Sequence, residues 1–543
     1  VLQSLNCFDY WENLMAESVE IRPTISYMNR IARAATVVMA LFIASRALGL
    51  LREVVIARQF GVSAEMDAYL AAFRLPDFLF YVVAGGALGS AFIPTFTGYL
   101  ARQDMPGAWR LASAVINWVL LILSLLGGIA AAFAPWITQQ LYADFSPAQQ
   151  VLTAELMCWM LVSTVIFGVS GVLMGILNAR RHFLLPALAP VVYNMAIILG
   201  AWLLGPSWGV RGLTAGVVLG AAGHLLVQLP GLVWSKQPMR YRLVLPLGDA
   251  GVREVGRLMA PRVLGLAAVQ LNFVVNTVLA SSLAVGSVTA LNYGWIIMLL
   301  PQGIISQSVA TALFPTLATL AASGERAEMR RVFGLTLRSI LFLILPAAVG
   351  LILLAEPMVR ILLQRGAFDE LSTQRTAWAL SLFSLGLVGH AVVEIAARAF
   401  YALKNTKTPV GIGILAMVVN IALSIGLMRL FTWLDWLPHG GLALANAIAV
   451  TLEMAILLLL LWPLLGGLSA GGLASSLMKL GLATGGMALA LLAVKPFLPA
   501  RPAWAAGLLG MALGGAIYVG LAYLLKVEEL KLVEQRVWGR IRR

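Results

Sequence analysis

From about residue 34 to residue 526 the chain is a succession of apolar stretches, each long enough to cross a lipid bilayer. A hydrocarbon core about 30 Å thick takes roughly 20 apolar residues per helical span. About fourteen spans are predicted, over 34–57, 68–96, 111–134, 151–177, 187–205, 212–233, 258–281, 288–320, 335–355, 376–401, 409–428, 441–462, 477–494 and 503–525. Inside hydrocarbon every backbone N–H and C=O must find its partner within the protein, which leaves helices and closed barrels. The ten-residue alternation of a barrel is absent. The fold class that follows is an all-α polytopic membrane protein. Composition agrees, with 60% hydrophobic and 11% charged residues, where a soluble domain carries about 25% charged.

The net charge of +14 is informative through its placement. With the N-terminus inside, about 25 of the 38 Lys and Arg fall in inner loops and tails. Arg180 and Arg181, Lys236, Arg240 and Arg242, Arg330 and Arg331, Lys404 and Lys407, and the closing Arg540, Arg542 and Arg543 are among them. Such an excess fits both termini in the cytoplasm. A nucleic-acid surface would gather the charge in one patch, and here it is spread over alternating loops. Cys7 and Cys158 are the only cysteines, and the four histidines show no ligand spacing, so no metal or cofactor site is expected. No Walker loop or nucleophile–base motif appears, which points away from an enzyme and from ATP-driven transport.

The chain also repeats itself. Arg46-Ala-Leu-Gly49 matches Arg262-Val-Leu-Gly265, Phe92-Ile-Pro94 matches Leu313-Phe-Pro315, and Pro186 after a basic loop matches Pro409 after another. The offsets are 216, 221 and 223 residues. Six spans per repeat is an even number, so two parallel six-helix repeats enter the membrane from the same side. The expected divisions are an N-lobe over 29–235, a basic cytoplasmic linker over 236–257 and a C-lobe over 258–465. An appended two-helix hairpin over 466–526 and a basic tail over 527–543 complete them. Residues 1–28, interrupted by Asp9, Glu12, Glu17 and Glu20, lack the apolar core of a signal peptide. They read as an extension, disordered or interfacial, or as a start-site artefact. Pro76 and Pro301, at an offset of 225, stand inside predicted spans and are hinge candidates, a static kink being the plainer alternative.

Ionisable residues inside spans are costly unless they face water or a partner. Arg46, Arg52 and Glu53 lie in the first span, Asp67, Arg74 and Asp77 in or at the second, Arg262 in the seventh, and Glu394 with Arg398 in the tenth. Glu394 and Arg398, four residues apart, are expected to form an ion pair. The arginines suit a hydrated chamber that receives phosphate, because a guanidinium binds phosphate with a fixed fork geometry.

Several of these residues carry a family resemblance. Ser45-Arg-Ala-Leu-Gly-Leu-Leu-Arg-Glu53, Asp67-Ala-Tyr69, Ala72-Phe-Arg-Leu-Pro76, Ala91-Phe-Ile-Pro94, Gly286-Ser-Val288, Leu363-Gln-Arg-Gly366 and Phe400-Tyr-Ala-Leu-Lys-Asn-Thr-Lys-Thr-Pro409 resemble the MviN/MurJ lipid II flippases. The resemblance covers about residues 29 to 526. It implies fourteen helices in two lobes, alternating access and a cationic central cavity, to which Arg46, Arg52, Asp67 and Arg74 would contribute. Arg262 is added to that set by its span. The implied substrate is lipid II, the undecaprenyl-pyrophosphate-linked muropeptide, moved by one chain in contact with membrane lipids. The drive would be membrane potential or an ion gradient. The sequence departs from the family pattern at Phe80-Tyr81, at Ala84-Gly-Gly-Ala87 and at Tyr293-Gly-Trp-Ile296, where many members carry charge. An exporter of another lipid-linked glycan or amphiphile in the same superfamily is therefore the second expectation, ahead of a transport-silent membrane scaffold.

Overall fold

The computed structural model describes residues 25–84, 91–234, 238–245, 249–467, 470–497 and 503–530. Most of residues 1–28, and the tail from residue 531, lie outside that set. Among the described residues the secondary structure is helical throughout. The helices are α1 (Ile25–Phe60), α2 (Ala64–Val83), α3 (Ile93–Ala101), α4 (Met105–Ala132), α5 (Ala134–Leu141), α6 (Pro147–Ala179), α7 (Leu184–Leu199) and α8 (Val210–Leu226). They continue with α9 (Ala250–Ser281), α10 (Ser287–Pro301), α11 (Ser308–Ala322), α12 (Arg326–Leu353), α13 (Ala355–Leu362), α14 (Glu370–Ser384), α15 (Leu387–Ala402), α16 (Lys407–Trp433), α17 (His439–Leu464), α18 (Ala470–Val494) and α19 (Ala503–Leu524).

Among the described residues, ten helices are long and apolar enough to cross a membrane, or eleven if α14 and α15, bent by 45° at their junction, form one span. The expected count of about fourteen is not reached on length and composition alone. In α2 the reason is chemical. It has 20 residues, and Asp67, Arg74 and Asp77 fall within any stretch of membrane-spanning length. In α9 the apolar stretch among the described residues is Gly265–Ser281.

Turns repeat with the same period as the motifs. Left-handed backbone occurs at Gly61 and Gly286, Gln103 and Gly324, Arg181 and Lys404, and Gly209 and Asp435, at offsets of 225, 221, 223 and 226. The eight-residue helices α5 and α13 begin 221 residues apart. Loops held to the same unusual geometry in the same order are hard to obtain without a repeated backbone. At Gly286, with φ at +91°, a Cβ would come within 2.4 Å of Val62 Cγ1, so both backbone and space demand glycine.

The chain forms two compact units. The first takes the described residues of 1–59, 72–141 and 147–270, and the second those of 60–71, 142–146 and 271–543. The division in α9 falls at Gln270, inside a helix. Described residues of the 236–257 segment go with the first unit, where side chains of α4 bind them. Asn117 donates from Nδ2 to the carbonyls of Arg242 (3.0 Å) and Val244 (2.9 Å), and Tyr241 donates its hydroxyl to Asn117 Oδ1. The Arg242 amide donates to Ser113 Oγ, and Arg110 pairs with Asp249, which caps the start of α9.

Within the first unit, α7 and α8 pack through Gly200, Gly212 and Gly216. A Cβ on Gly216 would meet the Ala196 carbonyl oxygen at 2.8 Å. The spacing of Gly212, Gly216 and Gly220 is thus used for close helix approach. Within the second unit, Tyr518 of α19 donates to the Phe342 carbonyl of α12, and Arg338 of α12 faces Glu528 and Glu529 beyond α19. These contacts anchor the appended hairpin to its unit.

Candidate functional site

The first unit gathers a polar cluster from α1, α2 and α7. Arg52 donates from Nε (3.1 Å) and Nη2 (2.6 Å) to Glu53 Oε1, and from Nη1 to Asn194 Oδ1 at 3.1 Å. Asn194 in turn donates to the Ser45 carbonyl at 3.4 Å. Asp77 lies within electrostatic reach of Arg74 and Arg52. Tyr193 stands amid Arg52, Glu53, Asp77 and Tyr81. The helical repeat explains the assembly, because Arg74, Asp77 and Tyr81 fall on one face of α2.

Arg52 therefore has partners that its own span hides. Glu53 is adjacent in sequence, yet the guanidinium fork reaches back to it, and Asn194 is 142 residues away. Arg46 is exposed, and no described residue bonds it. Its guanidinium is free among the described residues to meet an anion. Arg74 is half-buried beside Asp77. The side chain of Arg262 lies outside the described residues.

Asp67 requires a correction. Expected in a cavity, it is 2% exposed and spends both carboxylate oxygens on the start of α10. Oδ2 accepts from the Gly286 amide at 2.5 Å, and Oδ1 accepts from the Thr289 amide at 2.8 Å and the Thr289 hydroxyl at 2.6 Å. A helix N-terminus leaves its first amides unpaired and carries partial positive charge, which a carboxylate offsets. Asp67 is a helix cap supplied from another element, and a carboxylate would in any case repel pyrophosphate.

Glu394 and Arg398 form the expected ion pair on α15, and Arg398 also reaches Thr311 Oγ1 at 3.5 Å. Pro76 sits inside the continuous helix α2, where its carbonyl accepts from Thr164. Pro301 ends α10, and a wider π turn over Gln302–Gln307 follows before α11. That turn leaves Gln302 Oε1 and Ser306 Oγ buried without a partner among the described residues. Among the described residues no group of three or more His, Cys, Asp or Glu is placed to hold a metal ion.

At the positions where the resemblance leads to an expectation of charge, this chain packs aromatic rings. Phe80 meets Phe167, Tyr293 meets Phe368, and Trp295 meets Phe273, Phe383 and His390. The sequence reading missed Asn194, Asn276, Asn420 and Glu453. Asn276 donates to Asn420 Oδ1 at 3.3 Å in the second unit. The repeat holds the signal: Arg52 and Asn276 are 224 apart, and Asn194 and Asn420 are 226 apart. Each lobe thus ties its first helix to its fifth through polar side chains at corresponding positions.

A family model described as "Lipid II flippase MurJ" matches residues 56–511. The chain belongs to the MurJ lipid II flippase family. It is 30% identical over 450 residues to the probable lipid II flippase MurJ of Vibrio cholerae, covering 80% of this chain and 83% of that one. It is 31% identical over 441 residues to the lipid II flippase MurJ of Burkholderia cenocepacia, covering 79% and 83%. A solved MurJ structure in an inward closed conformation superposes with a TM-score of 0.76 at 26% identity, covering 90% of this chain and 98% of that one. An inward-facing MATE transporter of the MOP superfamily, 17% identical, shares the fold at a TM-score of 0.67. MurJ membership and the apolar helices together make this a multi-pass membrane protein.

Proposed function

We propose that this protein moves lipid II from the inner to the outer leaflet of a bacterial cytoplasmic membrane by alternating access. The observation that carries the reading is the MurJ match along residues 56–511, joined by a solved flippase of the same fold. The free guanidinium of Arg46 supports it, since pyrophosphate is the strongest anion of such a head group. Arg52, held by Glu53 and Asn194, contributes positive charge from a fixed position. The apolar tail stays in lipid throughout, so the protein needs to shelter only the head. Both termini lie in the cytoplasm on this reading, supported by the basic inner loops, and one chain is the working unit because it contains both repeats.

The test is genetic. Cells depleted of their own flippase are supplied with the wild-type gene or with Arg46→Ala. Wild type is expected to restore growth and Arg46→Ala to fail at equal abundance. Full rescue by Arg46→Ala removes Arg46 from the mechanism. No rescue by wild type counts against lipid II as substrate. A second reading, export of another lipid-linked glycan, is favoured by the aromatic residues Phe80 and Tyr81 in place of charge. Accumulated lipid II on depletion in the native host decides against it.

A further inference from the structure

We propose that Glu453 is a proton-binding site inside the second unit, loaded and unloaded as the protein works. Glu453 lies on α17, a helix of 26 residues. At 1.5 Å per residue it stands about 16 Å from the nearer helix end, close to mid-depth. The face it occupies is an interior one. Asn446, two turns earlier on the same side, is 3.1 Å from His390 Nε2 of α15. Val450 and Leu457, one turn to either side, are buried. On α16 the position opposite is glycine: a Cβ on Gly413 would be 3.6 Å from Glu453 Oε1. The carboxyl thus sits at the α16–α17 contact with space left for it.

No hydrogen bond or ion pair from the described residues reaches that carboxyl, and no neighbouring charge acts on it. The ionisable groups on the packed elements are committed elsewhere or distant. On α15, His390 bonds Asn446, Glu394 pairs with Arg398, and Tyr401 lies at the helix end. On α14, Arg375 donates to the Val285 carbonyl and Glu370 meets Arg360. On α16, Lys407 and Arg429 stand near the two ends. Tyr293 of α10 packs on Phe368, and His439 at the start of α17 bonds the Arg375 carbonyl. An uncompensated carboxylate in such surroundings is costly, whereas the neutral acid is tolerated.

The geometry also supplies a means of release. The 45° bend between α14 and α15 falls at residues 385–386. Gly386 and Gly389, at and just beyond it, lie against Ala447 and Val450 of α17, one to two turns from Glu453. Straightening that bend repacks the helix beside the carboxyl and admits water, so the acid gives up its proton; closing restores it. The step involves only the O–H bond: a hydron from water joins the carboxylate in one state and returns to water in the other. Coupling of this proton to head-group movement rests on the function proposed above, but proton binding does not.

The experiment is pH-difference infrared spectroscopy on the purified full-length protein, with wild type, Glu453→Gln and Glu453→Asp. Wild type is expected to show the C=O stretch of a protonated carboxyl that disappears as pH is raised. Glu453→Gln should lose it, and Glu453→Asp should show it at a shifted frequency. An unchanged difference spectrum in Glu453→Gln overturns the site. Should Glu453→Gln melt below wild type, Glu453→Asp carries the comparison, and an unshifted band overturns the site. Proteoliposomes loaded with a fluorescent short-chain lipid-linked muropeptide then test coupling. An imposed pH gradient should accelerate its movement in wild type and lose that effect in Glu453→Gln. Acceleration retained in Glu453→Gln overturns coupling. Absence of movement in every protein counts against the proposed substrate and leaves the infrared result to judge the proton site.

Discussion

Replacing Asp67 by Ala separates a structural cap from a substrate contact. The substitution strands three donors at the start of α10: the amides of Gly286 and Thr289 and the Thr289 hydroxyl. A hydrogen bond to a charged acceptor contributes about 1.5–3 kcal/mol. Bonds that share one carboxylate are not additive, and each buried donor left unpaired costs about 1–3 kcal/mol. We expect Asp67→Ala to destabilise by about 3 kcal/mol or more, since the group is 2% exposed and water cannot easily replace it. For a large unit each kcal/mol lowers the melting temperature by about 2–4 °C, so the expected drop is at least about 6 °C. Thr289→Val removes the hydroxyl alone and should cost roughly 1 kcal/mol. The double variant should fall short of the sum, because both changes act on one carboxylate. The assay is thermal unfolding of purified protein in detergent, followed by circular dichroism. Asp67→Ala melting within a degree of wild type refutes the capping argument. Asp67→Asn that melts normally but fails to rescue flippase-depleted cells also refutes it, and restores the aspartate to the substrate site.

Two further outcomes are expected. Asn194→Leu removes the acceptor for Arg52 Nη1 and the donor to Ser45; interhelical bonds in membranes are worth about 0.6–1.7 kcal/mol, and unfolding in detergent should show a loss in that range. Gly216→Val forces side-chain atoms into the Ala196 carbonyl, 2.8 Å from the Cβ position. It should separate α7 from α8 and markedly reduce folded protein in the membrane, whereas Gly426→Ala on α16, with open space around it, should leave abundance unchanged.

Much of the architecture was legible in sequence because hydrocarbon is an exacting solvent. A run of about 20 apolar residues has few fates, so the spans announce themselves. The repeat showed through motifs such as Arg46-Ala-Leu-Gly49 and Arg262-Val-Leu-Gly265 because both copies place them within the first helix of a repeat. The turns themselves were not legible. Gln103, Arg181, Lys404 and Asp435 adopt left-handed backbone without being glycine, and no residue preference signals that reliably. Glu394 with Arg398 was readable because four residues along a helix is one turn.

Sequence alone therefore determined the solvent, the helical class, the twofold internal repeat and the family, all of which depend on local periodicity or on matching strings. The tertiary structure decided what each charge in a span is for. It handed Asp67 to the amides of α10, gave Arg52 a partner on α7 and left Glu453 without one. Those assignments depend on distances between residues far apart in the chain. The energy of a charge in a membrane is set by what stands within a few ångströms of it, which no string of neighbours records.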